Sequence, residues 1–139
     1  MNWWTNELVS HIPQLTNSRI LQFYFGAGGV AGARSLRAGN SFLIFPEGTR
    51  SKTDEMLPFK KGGFIMAIKA AAPIVPVAIQ GGRAAMRRGS RVIRPVTVSI
   101  RVGTPIETAG LTLDDRDGLI LRVRDAIASL LAEGPIADT

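Results

Sequence analysis

Hydrophobic positions along this chain repeat with two periods, and each period predicts a different kind of element. Ala31, Ala33 and Leu36 sit at helical spacing and predict a small-residue helix over 30–38, closed by Gly39. Ser41 to Phe45 is an unbroken apolar and aromatic run stopped by Pro46, which predicts a strand buried on both faces of a parallel sheet. The helical period returns over 62–72, with Phe64, Ile65, Ile68 and Ala71 inward and Pro73 ending the helix. Ile74 to Ile79 reads as a second apolar strand. Strand, helix and strand at this length predict a βαβ unit with a right-handed crossover.

Further on the pattern switches to period two. Val96, Val98, Ile100 and Val102 alternate with Thr97, Ser99 and Arg101, as in a strand with one exposed face. Thr112 with Asp115 is a capping box, and Asp114, Asp115 and Asp117 crowd the positive end of the helix it opens. That helix carries Ile120, Val123, Ile127, Leu130 and Leu131 on its inward stripe and stops at Gly134 and Pro135. The expected fold is α/β: one domain over 1–139 with a mostly parallel or mixed sheet flanked by helices. No internal repeat interrupts it.

Residues 1–25 fit this scheme least. Trp3, Trp4, Leu8 and Ile12 lie near helical spacing up to Pro13, and Leu21 to Phe25 is apolar before the glycines at 26, 28 and 29. This is read as an atypical N-terminal segment.

Composition narrows the chemistry. The 139 residues are 45% hydrophobic, enough for a real core. With no cysteine there is no disulfide, thiolate nucleophile or Cys-bound metal, and the single histidine, His11, excludes a multi-histidine zinc site. No signal-peptide pattern and no spanning apolar stretch is found, so a cytoplasmic protein is expected. The net charge of +6 is concentrated in residues 50–101, where eleven basic residues face only Asp54 and Glu55. Such a basic middle suits an anionic lipid surface or a phosphorylated substrate.

The polar cluster after the first strand is the candidate site. Gly48 permits a tight turn, and Arg50 offers a planar fork for phosphate with the Thr49 and Ser51 hydroxyls beside it. Glu47 is placed to hold Arg50 or to accept a hydrogen bond from a substrate hydroxyl. In open α/β sheets, ligands bind where strands end.

Phe45-Pro46-Glu47-Gly48-Thr49-Arg50-Ser51, then Pro58-Phe59-Lys60-Lys61-Gly62, then Ile74-Val75-Pro76-Val77-Ala78-Ile79 resemble, in this order, the third and fourth sequence blocks of the glycerolipid acyltransferase family. The resemblance covers about residues 31–133. It implies transfer of a fatty acyl group from a thioester of coenzyme A or acyl carrier protein to a lysophospholipid such as 1-acylglycerol 3-phosphate. No other cofactor and no metal is implied. By the same resemblance Arg50 is the main phosphate contact, assisted by Glu47, Gly48, Thr49, Ser51, Lys60 and Lys61. Pro76 is placed near the acyl path or serves as a structural proline.

The family's general base is a His followed, after four residues, by an Asp that orients it. Here His11 is the only candidate; Ser10 precedes it where the family has Asn, and Thr16 stands where Asp belongs. The family's second block is not recognisable. The expectation is therefore a family member with a shortened N-terminal part, peripheral on the inner face of the cell membrane. A catalytically inactive member that binds anionic phospholipid or phosphate is the alternative. Nucleic-acid binding, suggested only by the arginines of 83–101, finds no aromatic recognition motif to support it.

Overall fold

The computed structural model describes residues 28–49, 51, 53, 55–85 and 92–135. Helix α1 (Gly28–Arg37) packs along α2 (Gly62–Ala70). Strand β1 (Val77–Gln80) follows, then the short α3 (Gly82–Ala85), strand β2 (Ser99–Val102), a 3-10 turn (Leu113–Asp115) and the long α4 (Arg116–Ala132).

Small residues set the α1–α2 contact. Ala33 is buried, and a Cβ at Gly32 would lie 2.2 Å from the Met66 sulfur, so the glycine leaves the space that this thioether fills against α1. An Arg37 guanidinium nitrogen donates to the Lys69 carbonyl near the end of α2. Phe64, Ile68, Leu119 and Val123 then form the core between α2 and α4, lined by Phe59, Ile74, Ile106, Leu111, Ile120 and Ile127.

Helix α2 is shorter than its apolar pattern. Ala71, expected on the buried side, is exposed and left-handed at φ +50°, and the Ala72 N–H closes back on the Ala67 carbonyl. Pro73 bars Ala72 from the helical region and brings no N–H of its own, so the helix turns off before it. Ile65 is half-buried, while Met66 and Ala67 join the core. Thr108, fully buried, donates its hydroxyl to the Ala72 carbonyl at 2.9 Å and approaches the Ala67 carbonyl at 3.2 Å. Backbone bonds between Ile74 and Ile106 pin the segments on either side.

The sheet departs from expectation in two ways. First, β1 and β2 pair antiparallel, with Val77 opposite Val102 and Gln80 opposite Ser99, and they are the only two strands among the described residues. The Ser41–Phe45 run is not a buried parallel strand: Ser41 makes an isolated bridge, and Leu43, Ile44 and Phe45 are 57%, 41% and 62% exposed. Without ladder neighbours on both sides, an apolar run has nothing to bury both its faces, and the expected βαβ ladder is absent among the described residues. Ile44 lies over Gly63 instead, 2.9 Å from where a Cβ would be.

Second, the alternating strand turns its other face inward. Ser99 is buried and Arg101 half-buried, while Ile100 and Val102 are exposed. The cause is the C-terminal end of α4, whose last carbonyls need donors. Gln80 Nε2 donates to the Leu131 carbonyl at 2.7 Å, Arg101 Nε to the Gly134 carbonyl at 3.2 Å, and Arg101 pairs with Glu133 at 2.8 Å. A cation at the negative end of a helix is favourable as well. These polar contacts outweigh the simple alternation.

Candidate functional site

The site is built on a β-turn. Pro46 occupies its second position and Gly48 its fourth; the Gly48 N–H donates to the Phe45 carbonyl at 3.0 Å, and Gly48 sits at φ +71°. Proline pre-sets the turn and glycine alone accepts the left-handed exit at no cost, which is why these residue types stand at this spacing.

The segment that follows folds back onto the turn. The Lys60 N–H donates to the Pro46 carbonyl at 2.7 Å, and the Leu57 N–H donates to Glu47 Oε2 at 3.0 Å. Glu47 is thus half-buried as a brace for the 56–60 segment rather than displayed toward solvent. Gly48 and Thr49 are exposed. Ser51 is turned to local work: its hydroxyl accepts the Thr53 N–H at 3.1 Å in a serine turn.

The two lysines separate. Lys61 reaches Asp117 at 3.5 Å, both side chains being well exposed, so the pair contributes little. Asp117 is also gripped by Arg116 at 2.9 and 3.1 Å, which lowers its pKa, with Lys61 adding to that effect. Lys60 is exposed and has no ion pair among the described residues. The turn therefore presents exposed Gly48 and Thr49, with the backbone of exposed Lys60 bonded back to it.

Pro76 is almost wholly inaccessible, and its carbonyl accepts the Gly103 N–H at 2.8 Å just before β1 begins. Its side chain is packed away from solvent. Arg50 and His11 lie outside the described residues. An open groove runs between the 102–107 segment and Arg122, Ala126, Ser129 and Leu130 of α4, but no residue of the turn lines it. Among the described residues no group of three or more His, Asp or Glu side chains converges as a metal site, and no helix is long and apolar enough to cross a membrane.

Sequence reasoning missed the part played by Arg124. Its guanidinium donates to the Met56 and Leu57 carbonyls, both at 2.7 Å, and lies 5.4 Å from the Phe59 ring centroid. The available signal was positional, since 120, 124 and 127 share one helical face with apolar neighbours.

Comparison with known proteins adds what geometry alone does not. Residues 16–80 match the family model described as Acyltransferase. Over 101 residues the chain is 36% identical to a 1-acyl-sn-glycerol-3-phosphate acyltransferase of Limnanthes douglasii, covering 71% of this chain and 36% of that protein. The enzyme of the same name from Cocos nucifera is 46% identical over 68 residues, 49% of this chain and 22% of that one. The human alpha enzyme is 38% identical over 90 residues, 65% of this chain and 32% of its own. The chain thus spans 22% to 36% of the length of these relatives. The crystal structure of the 1-acyl-sn-glycerophosphate acyltransferase PlsC from Thermotoga maritima superposes with a TM-score of 0.66 at 28% identity, covering 75% of this chain and 44% of that one.

Proposed function

Because this chain belongs to the acyltransferase family, we propose that it takes part in transferring a fatty acyl group to a lysophospholipid such as 1-acylglycerol 3-phosphate. The donor is a thioester of coenzyme A or acyl carrier protein. In that reaction the acceptor hydroxyl oxygen attacks the thioester carbonyl carbon. The C–O bond forms, the C–S bond breaks, and the thiolate leaves with the proton that a general base has removed from the hydroxyl.

The observation that carries this reading is the braced turn at 45–48, with Lys60 returned to it by a backbone hydrogen bond. In this proposal Arg50 makes the principal phosphate contact, with Gly48, Thr49, Ser51, Lys60 and Lys61 around it, while Glu47 fixes the shape of the site. His11 is the proposed base within this chain. The excess of basic residues over 50–101 supports docking on an anionic membrane surface on the cytoplasmic side.

The test is thiol release from an acyl-coenzyme A in the presence of lysophosphatidic acid, run beside direct titration of the same acceptor. Arg50→Ala is expected to weaken acceptor affinity by about 10- to 100-fold, as for a lost charged hydrogen bond. Unchanged affinity would contradict the assignment. Full turnover by His11→Ala would place the base elsewhere, and saturable binding without turnover would favour an anion-binding member of the family with no catalysis.

A further inference from the structure

The 56–60 segment is held from two directions. On one side Glu47 takes the Leu57 N–H and the Pro46 carbonyl takes the Lys60 N–H. On the other side Arg124 reaches over from α4, a helix anchored in the core by Leu119 and Val123. Its two terminal nitrogens divide between adjacent carbonyls, of Met56 and Leu57, and its plane lies near the Phe59 ring. Phe59 in turn stacks on Phe64 with ring centroids 6.3 Å apart. A planar guanidinium holds two carbonyls in one rigid fork while its face meets the ring; an ammonium lacks that fixed fork.

We propose that Arg124 is a positioning residue for the anion site, fixing where Lys60 stands relative to the Gly48 turn. This rests on the phosphate-binding reading given above and extends it to a residue far along the chain. Leu57 is the shared element: its carbonyl is bound by Arg124 and its N–H by Glu47. Losing the guanidinium releases the carbonyl side of this peptide segment. The lysine then samples more positions, and the bound phosphate meets its ammonium less often. Arg124 touches no substrate in this scheme and acts wholly through the segment it grips.

The experiment titrates the full chain with 1-acylglycerol 3-phosphate below its micelle concentration, and with the corresponding 1-acylglycerol as a phosphate-free control. Arg124→Lys keeps the charge and loses the fork; Arg124→Met loses both. Both variants are expected to bind the phosphate ester about tenfold more weakly at temperatures well below their own unfolding, with binding of the phosphate-free lipid unchanged. Glu47→Ala combined with Arg124→Met should lose less than the sum of the single losses, because both act through Leu57. Wild-type affinity in both Arg124 variants, with only a lower melting temperature, would reduce Arg124 to a structural brace and overturn the inference. A wild-type chain that does not bind the phosphate ester would instead refute the underlying phosphate-binding reading, and this inference with it.

Discussion

Thr108 has no counterpart in any motif, yet its hydroxyl serves carbonyls at the end of α2 from a fully buried position. Thr108→Val keeps the shape and removes the donor, leaving the Ala72 carbonyl without that bond. The expected loss is roughly 1–3 kcal/mol of stability, read as a lower urea midpoint at unchanged m-value. Pro46 and Gly48 were legible in the sequence because turn chemistry is local and each residue type has one clear reason to be there. The partners of Glu47 and Arg124 were not. Those contacts are main-chain groups 10 and 67 residues away, which no pattern of side-chain types announces. The roles of Arg50 and His11 fall outside the described residues.

The elements themselves were read unevenly, and the division follows where their hydrogen bonds go. Helices bond internally, so α1, α2 and α4 emerge within a few residues of their periodic patterns. The capping box at the head of α4 is also present: Asp115 Oδ2 accepts the Thr112 N–H at 2.7 Å and its hydroxyl at 2.8 Å. These bonds hold the Asp115 carboxyl below its ordinary pKa, the backbone donor having the larger effect. Asp117 is lowered too, first by Arg116. A carboxyl depressed in the folded state stabilises it above the unfolded-state value, and that contribution disappears as pH falls through the folded value. Thermal melts followed by circular dichroism should therefore be flat from pH 7 to about 5 and decline below about 4. Asp115→Ala should lower the melting temperature near neutrality and make the acid decline shallower. An identical acid limb in that variant would show that the cap carries none of the dependence. Strands, by contrast, take their partners from elsewhere in the chain. Ser41–Phe45 had the composition of an inner strand, but among the described residues 42–45 join no ladder.

Across the whole molecule, a mix of helices and strands was legible and the pairing of the sheet was not. Helices flanking a mostly parallel or mixed sheet are what the periodicities implied, whereas the observed pairing is antiparallel, and β2 turns Ser99 and Arg101 inward beside the buried Ala78 of β1. Alternation along β2 specified that the two faces differ, but the end of α4 decided which one turns inward. Gly81 shows how tightly this region is set. It sits at φ +89°, and a Cβ there would lie 2.1 Å from the Thr97 carbonyl oxygen.

That inward polar face reverses the usual instruction for redesign. A combinatorial library that places charged residues at Ile79, Ile100 and Val102 should yield mostly folded, more soluble chains, because those side chains already meet water. A library that greases Gln80, Ser99 and Arg101 should yield misfolded ones, and sorting both by protease survival would tell them apart. In β2, hydropathy alone names the wrong face as the one that can accept charge.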